Sequence, residues 1–449
     1  LEAELLKDCF VQINRALVHD KIRDTFDENL AKEYMRQIED HEIYVHDETS
    51  LKPYCTSISM YPFLLDGLTK LGGESKAPKH LESFCGSFVN LIFAISAQFA
   101  GAVATVEFLT YFDYFARLEY GDDYLTTHQF EISNHLQHVV YAINQPAAAR
   151  GYQSVFWNLS LFDQHYFSSM FGEFVFPDFS KPNWNTVDKL QQFFLTWLNK
   201  EREQSVLTFP VVTAAMLTEN GQCKDQDFAY KLASHKADGN SFFIYLSDSA
   251  DSLASCCRLR NEISDNTFSY TLGAGGVATG SINVITLNMN RLIQDGRDLK
   301  TEIEKIQKYQ VAYRKLMEDY KEQGALSVYD AGFISLDKQF LTIGINGMAE
   351  AAEYSNITVG NNEAYKKFVS KQLKVIYQAN QQAKKEFGYM FNTEFVPAEN
   401  LGVKNAKWDR KDGYQVNRDC YNSYFYLVED NDTNKFFVCF IIANRNIAI

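Results

Sequence analysis

Short strand-like runs alternate with helical ones along most of this chain, and that alternation restricts its possible folds more than any other feature. EIYVHD (42–47), GYQSVFWNLSLF (151–162), SVLTFPVVTAAM (205–216), NSFFIYLSD (240–248), VITLNM (284–289) and ISLDKQFLTIGING (334–347) read as strands. Between them, VDKLQQFFLTWLNKERE (187–203), KDQDFAYKLASHK (224–236), TEIEKIQKYQVAYRKLMEDYKEQ (301–323) and residues 362–387 carry helical apolar spacing. Strands separated by helices form parallel-sheet units, because a parallel pair needs a long crossover. The expected fold class is therefore α/β, as an open sheet or a barrel. No internal repeat or low-complexity linker interrupts the 449 residues, which predicts one large domain. Residues 1–40 read as helices ahead of it, and residues 41–449 as the α/β domain itself.

Two other segments qualify the pattern. PYCTSISMYPFLLDGL (53–68) reads as a β-rich piece between Pro53 and Pro62. From Leu81 to about Leu118 the sequence reads as one long apolar helix, and FVNLIFAISAQFAGAVATVEFLTYF (88–112) is its most hydrophobic part. Asn90, Gln98 and Glu107 interrupt it, so the expectation is a buried or dimer-facing helix rather than a membrane span.

Composition excludes some classes of function. A formal charge of −14 disfavours binding to nucleic acid, which needs clustered Lys and Arg. No segment resembles a signal peptide, so a cytoplasmic protein with no membrane attachment is expected. Eight cysteines without CxxC, HExxH or paired Cys/His spacing predict neither a disulfide framework nor a metal site.

GAGGVA (273–278) fits the dinucleotide fingerprint G-x-G-x-x-A, and Asp295 follows about 20 residues on. That fingerprint must open a helix, whereas these glycines run into a β-branched strand, so a loop is expected instead. SCCRLRN (255–261) sets Cys256 and Cys257 beside two arginines in a polar stretch between strand-like segments. Buried inert thiols are the commonest case. A vicinal disulfide is strained, and a metal pair lacks its second half. A reactive thiol on a loop held by a rigid sheet is the remaining reading.

YVHD (44–47), PYCTSISMYPFLLDGL, SAQFAGAVA (96–104), ARGYQSVFWNLS (149–160), FPVVT (209–213), SCCRLRN, TGSINVITLNMNR (279–291) and VPAEN (396–400) follow one another in the order found in anaerobic ribonucleotide reductases. The chain resembles that oxygen-sensitive, glycyl-radical class from about residue 20 to 430. The resemblance implies a ten-stranded α/β barrel, made of two antiparallel sets of five parallel strands around a central finger loop. It also implies reduction of ribonucleoside triphosphates to deoxyribonucleoside triphosphates by thiyl and glycyl radical chemistry, with ATP and dNTP effectors, a radical-SAM activating enzyme and a homodimer.

Matched residue by residue, the finger loop is SCCRLRN, and the thiyl falls on Cys257, directly before arginine, with Cys256 as the alternative. Cys55 matches a second cysteine that takes part in reduction by formate. Asn283 is the candidate for an asparagine of the formate-type members, with Ser281 the alternative by strand alignment. The resemblance further implies substrate binding by His46, Asp47, Ser154, Asn158, Ser255 and Arg258. The family's terminal zinc-binding cysteines, its radical glycine loop and its N-terminal ATP cone have no match here, so zinc and the radical glycine are expected outside these residues. Two other readings stay open. Another glycyl-radical enzyme, such as a formate acetyltransferase, would act on pyruvate and coenzyme A, and a non-catalytic nucleotide-binding regulator would tolerate loss of Cys257.

Overall fold

A computed structural model of the chain describes residues 10–147, 153–248, 250, 252–255, 259–262, 278–396 and 399–422. Its strands are β1 (Ile43–Val45), β2 (Cys55–Ser57), β3 (Val103–Ala104), β4 (Trp157–Phe162), β5 (Val211–Glu219) and β6 (Gln222–Cys223). They continue as β7 (Phe243–Ser247), β8 (Ser252–Ser255), β9 (Leu259–Glu262), β10 (Thr279–Asn288), β11 (Gln339–Asn346) and β12 (Met390–Glu394). The chain divides into two compact units, one of residues Leu1–Tyr54, Ser281–Gln323 and Gln339–Ile449, the other of Cys55–Gly280 and Gly324–Lys338.

In the second unit β2, β3, β4, β5 and β7 run parallel in that order. Each crossover carries helix, as parallel pairing requires. The helix Leu81–Ser96 joins β2 to β3, and Phe108–Tyr120 and Gln129–Ile143 join β3 to β4. Gln164–Phe171 and Trp184–Gln204 join β4 to β5, and Gln226–Ala237 leads to β7. This is one set of five parallel strands. The far end of β5 turns back through Asn220 and Gly221, both at positive φ, to pair with β6. Asn-Gly suits such a two-residue hairpin because both positions tolerate left-handed backbone.

One face of this sheet is covered by aromatic side chains. Trp157 of β4 lies 5.5 Å from Phe88 and 5.1 Å edge-on from Phe108, and its indole N–H donates to Thr105 Oγ1 at 2.8 Å. The expected single helix over 81–118 is therefore two helices, Leu81–Ser96 and Phe108–Tyr120, separated by β3. Both pack their apolar residues inside the unit: Phe84 stacks on Phe115 at 4.8 Å, and Phe88 meets Phe108 at 4.6 Å. The segment PYCTSISMYPFLLDGL likewise holds only a short strand before the helix Tyr61–Asp66, with Pro62 in the first turn, where a missing N–H costs nothing.

In the first unit β1 pairs antiparallel with β10, and β11 runs parallel to β12. Asp298 caps the long helix Leu299–Glu322 by accepting from Thr301 N at 2.9 Å. From that helix Gln310 Nε2 donates to Thr342 O at 2.6 Å and Asn283 O at 3.4 Å, tying the helix to β10 and β11. No helix of the described residues is long and apolar enough to cross a membrane.

Glu107 is fully buried just after β3, and its Oε2 accepts from Met60 N at 2.9 Å. Burial pushes its carboxyl up to about 8, against a weaker opposing effect from the Met60 hydrogen bond. The folded state therefore holds a proton that the unfolded chain releases near pH 4.5, so this contribution to stability is complete below that pH and is lost as pH rises through about 8. Glu107→Gln keeps the acceptor without the charge. It should match wild type in thermal unfolding at pH 5 and exceed it at pH 8.5, by about 2 kcal/mol or more. Parallel stability profiles across that range would contradict the assignment.

Candidate functional site

The pleat sorts the residues of β2, β3 and β4 onto two faces. Thr56, Val103 and Trp157 are register partners, and Trp157 points them to the aromatic helix layer. Their neighbours Ser57, Ala104 and Asn158 are also register partners and point to the opposite face, together with Cys55 two residues before Ser57. A sheet of buried parallel strands is normally apolar on both sides. Here the second face is buried yet polar: Cys55 and Ser57 are fully buried, and Asn158 is 3% exposed. The Ser57 hydroxyl and both the nitrogen and the oxygen of the Asn158 side chain lack hydrogen-bond partners. Such groups are rare in folded proteins and mark places where a ligand or water completes the bonding.

Gly280, near the start of β10, sets the backbone against this face. A Cβ there would lie 2.2 Å from Cys55 O and 2.9 Å from Thr56 Cα. Thr56 Oγ1 donates to Thr279 O at 3.5 Å beside it. Only glycine permits that approach. The glycine of TGSINV thus has a steric reason that the sequence pattern could not supply.

The hairpin of β8 and β9 pairs Ser255 with Leu259. Cys256, Cys257 and Arg258, which separate those two strands in sequence, lie outside the described residues, and Ser255 is described only as the end of β8. Ser154 precedes β4 instead of lying on it, and its hydroxyl donates to Asn144 O at 2.8 Å. Of the two residues expected on that strand, Asn158 alone is there.

The other candidates lie in the first unit. His46 directly follows β1; its N–H donates to Val284 O at 3.1 Å, and its Nε2 lies 2.8 Å from Thr286 Oγ1. Its ring meets Tyr44 edge-on at 5.0 Å and Tyr54 at 6.0 Å. Asp47 takes the left-handed conformation, with φ 50°, which an aspartate tolerates. Both help to line a pocket with Arg15, Tyr34, Glu48 and Tyr313, in which Arg15 and Glu48 form a bidentate ion pair at 2.6 and 2.7 Å. Asn283 is 4% exposed, and its side-chain oxygen has no partner. Ser281 Oγ instead sits 2.7 Å from Thr342 Oγ1 and bonds the carbonyls of Asn283 and Phe340. Of these two alternatives, Asn283 alone keeps a polar group without a partner. Among the described residues no group of three or more His, Cys, Asp or Glu is placed to hold a metal ion.

The end of the same strand has a structural task that sequence reading did not assign. Arg291 is 3% exposed; its Nε donates to Asp409 at 2.9 Å, its Nη2 to Asp412 at 2.8 Å and its Nη1 to Asp40 O. Asn288 donates to both oxygens of Asp409, and Tyr421 OH donates to one of them at 2.7 Å. The polar residues of TLNMNR therefore anchor the helix Glu399–Lys411 to the strand.

The sequence profile of a family described as anaerobic ribonucleoside-triphosphate reductase matches residues 2–438. Crystal structures of the anaerobic ribonucleotide reductase from Thermotoga maritima are similar over 94% of this chain. The form with citrate in the active site has a TM-score of 0.81 at 27% identity, with 78% of that chain covered. The form with dATP bound in the specificity site has a TM-score of 0.83 at 26% identity, with 74% covered. The complex with dATP and CTP has 0.82 at 27% identity, with 72% covered. No curated protein matches the chain significantly.

Gly280→Ala forces the start of β10 away from Cys55. It should lower stability by about 1–3 kcal/mol, measured by urea unfolding. It should also raise the reactivity of the buried Cys55 thiol toward iodoacetamide, measured by peptide mapping; unchanged stability and labelling would refute the close approach.

Proposed function

The chain belongs to the anaerobic ribonucleoside-triphosphate reductase family, a family of oxidoreductases acting on nucleotides, and on that premise we propose that it reduces ribonucleoside triphosphates to deoxyribonucleoside triphosphates in the cytoplasm, with formate as reductant. The observation that carries this reading is the buried polar face of β2 and β4. Cys55 shares it with hydroxyl and amide groups that no protein atom satisfies.

A glycyl radical, once installed by a radical-SAM activating enzyme, would supply the radical chemistry, and the Cys257 thiol would give up its hydrogen atom to become the thiyl. Cys257 then takes the 3′ hydrogen of the ribose, and the 2′ hydroxyl leaves as water with a proton from the cysteine side. Formate supplies two electrons and leaves as carbon dioxide. The sum is ribonucleotide plus formate plus a proton, giving deoxyribonucleotide, water and carbon dioxide. Returning the hydrogen to C3′ regenerates the Cys257 thiyl, which becomes a thiol again only on regaining the hydrogen atom it first gave up.

This scheme assigns hydrogen transfer to Cys257, with Cys256 as its neighbour, and reduction to Cys55 with Asn283 beside the formate. His46, Asp47, Ser255 and Arg258 contact substrate, as does Asn158. The closed α/β barrel implied by the family would exclude water and oxygen from the radical. Holding the reacting atoms in contact is worth several kcal/mol. The Thermotoga maritima enzyme is described with dATP in a specificity site and with CTP. By analogy, this chain takes dNTP or ATP effectors and ribonucleoside triphosphate substrates, as a homodimer, with zinc bound at cysteines outside these residues.

Cys257→Ser should abolish reduction, by about 10³-fold or more, while nucleotide affinity stays within about twofold of wild type. Easily measured residual turnover would exclude Cys257 as the radical carrier. Anaerobic turnover with ¹³C-formate should release one ¹³CO₂ per deoxynucleotide, and Cys55→Ser should stop both. Product formed without labelled carbon dioxide would assign the electrons to a thiol donor instead.

A further inference from the structure

We propose that Ser57, Ala104 and Asn158 form a sugar-hydroxyl subsite, in which Ser57 and Asn158 bond the ribose hydroxyls across a floor made by Ala104. The inference rests on the functional reading above and adds two residues, Ser57 and Ala104, that it leaves without a role.

Three observations carry it. Ser57, Ala104 and Asn158 are consecutive register partners on β2, β3 and β4, so their side chains stand in one row on one face. Two strand spacings separate the outer pair, about 9.5 Å between backbones. A methyl group at the middle position leaves that span open, whereas any longer side chain would fill it. Second, the row is buried and its polar atoms are unused: Ser57 is fully buried, Asn158 nearly so, and the hydroxyl, the amide nitrogen and the amide oxygen are all without partners. Together they offer one group that can donate or accept, one donor and one acceptor. Third, on β2, β3 and β4 this face carries Cys55, Ser57, Ala104, Asn158 and Ser160, all neutral. A phosphate would call for cations or clustered N–H donors. Neutral hydroxyls, each able to donate and accept, match the groups present. Cys55 lies about 7 Å along β2 from Ser57 on the same face, which puts the reducing thiol beside the sugar.

Leaving a buried hydroxyl without a partner costs stability in the ligand-free protein, and bonding it to a ligand recovers that cost. Ser57→Ala should therefore act with opposite signs on the two states. The test uses full-length protein without radical activation, so that binding is read without turnover. Calorimetry with CTP and with 2′,3′-dideoxy-CTP measures affinity, and thermal unfolding without nucleotide measures the fold. Wild type should favour CTP. Ser57→Ala should weaken CTP binding about five- to tenfold, bind the dideoxy analogue as wild type does, and unfold at an equal or higher temperature. Asn158→Ala should show the same selective loss for CTP. Ala104→Val, which narrows the span, should weaken CTP binding with both outer residues intact.

If Ser57→Ala binds both nucleotides as wild type does, the subsite is refuted. A lower unfolding temperature with unchanged affinity would also refute it, as the mark of a purely structural serine. If wild type binds neither nucleotide, the proposed function fails and the subsite with it.

Discussion

A parallel sheet flanked by crossover helices ordinarily buries apolar side chains on both faces, and a polar face there must be completed by something outside the sheet. The five parallel strands of this protein obey that rule on one side only. Trp157, Phe88, Phe108 and their neighbours close the helix side, and the indole finds its acceptor in Thr105. The opposite side carries a thiol, a hydroxyl and a carboxamide, of which the last two have no bonding partner. Gly280 allows close backbone contact with Cys55, Asp163 ties the end of β4 to β5 by accepting from Leu217 N, and Gln191 ties the helix Trp184–Gln204 to β4 through both backbone groups of Phe162.

The first unit applies the same physics differently. One of its buried polar networks is satisfied internally. Arg291 and Asp409 draw Asn288, Asn290 and Tyr421 into one network, where losing Arg291 would leave Asp409 buried without its counter-ion. Outside that network, the side-chain oxygen of Asn283 has no bonding partner.

Much of this was legible in the sequence. The strand–helix alternation led to the parallel set, and the ordered motifs led to the family. The strands at Trp157–Phe162, Phe243–Ser247 and Gln339–Asn346 fall within runs read as β, and Val211–Glu219 begins inside one and runs three residues past its end. What was not legible depended on long-range packing. Periodicity alone could not show that the apolar stretch after Leu81 would be cut by Val103–Ala104, because two buried residues of strand look like two residues of buried helix. It could not tell Ser154, whose hydroxyl bonds a nearby carbonyl, from Asn158, whose amide bonds nothing. Nor could it single out Ser57, a small polar residue beside a more conspicuous cysteine, since its significance comes from register across three strands. Cys256 and Cys257 are known from sequence alone, their place in the chemistry resting on the motif around them.

The central claim is that this chain removes a hydrogen atom from the ribose of a nucleotide. The most direct measurement is anaerobic turnover of [3′-²H]CTP by the full-length, activated protein, with formate, compared with unlabelled CTP. The account predicts dCTP as product, a slower rate with the labelled substrate, and deuterium retained at C3′ because the same thiol returns it. Absence of dCTP, or equal rates with deuterium intact in a control lacking Cys257, would contradict it.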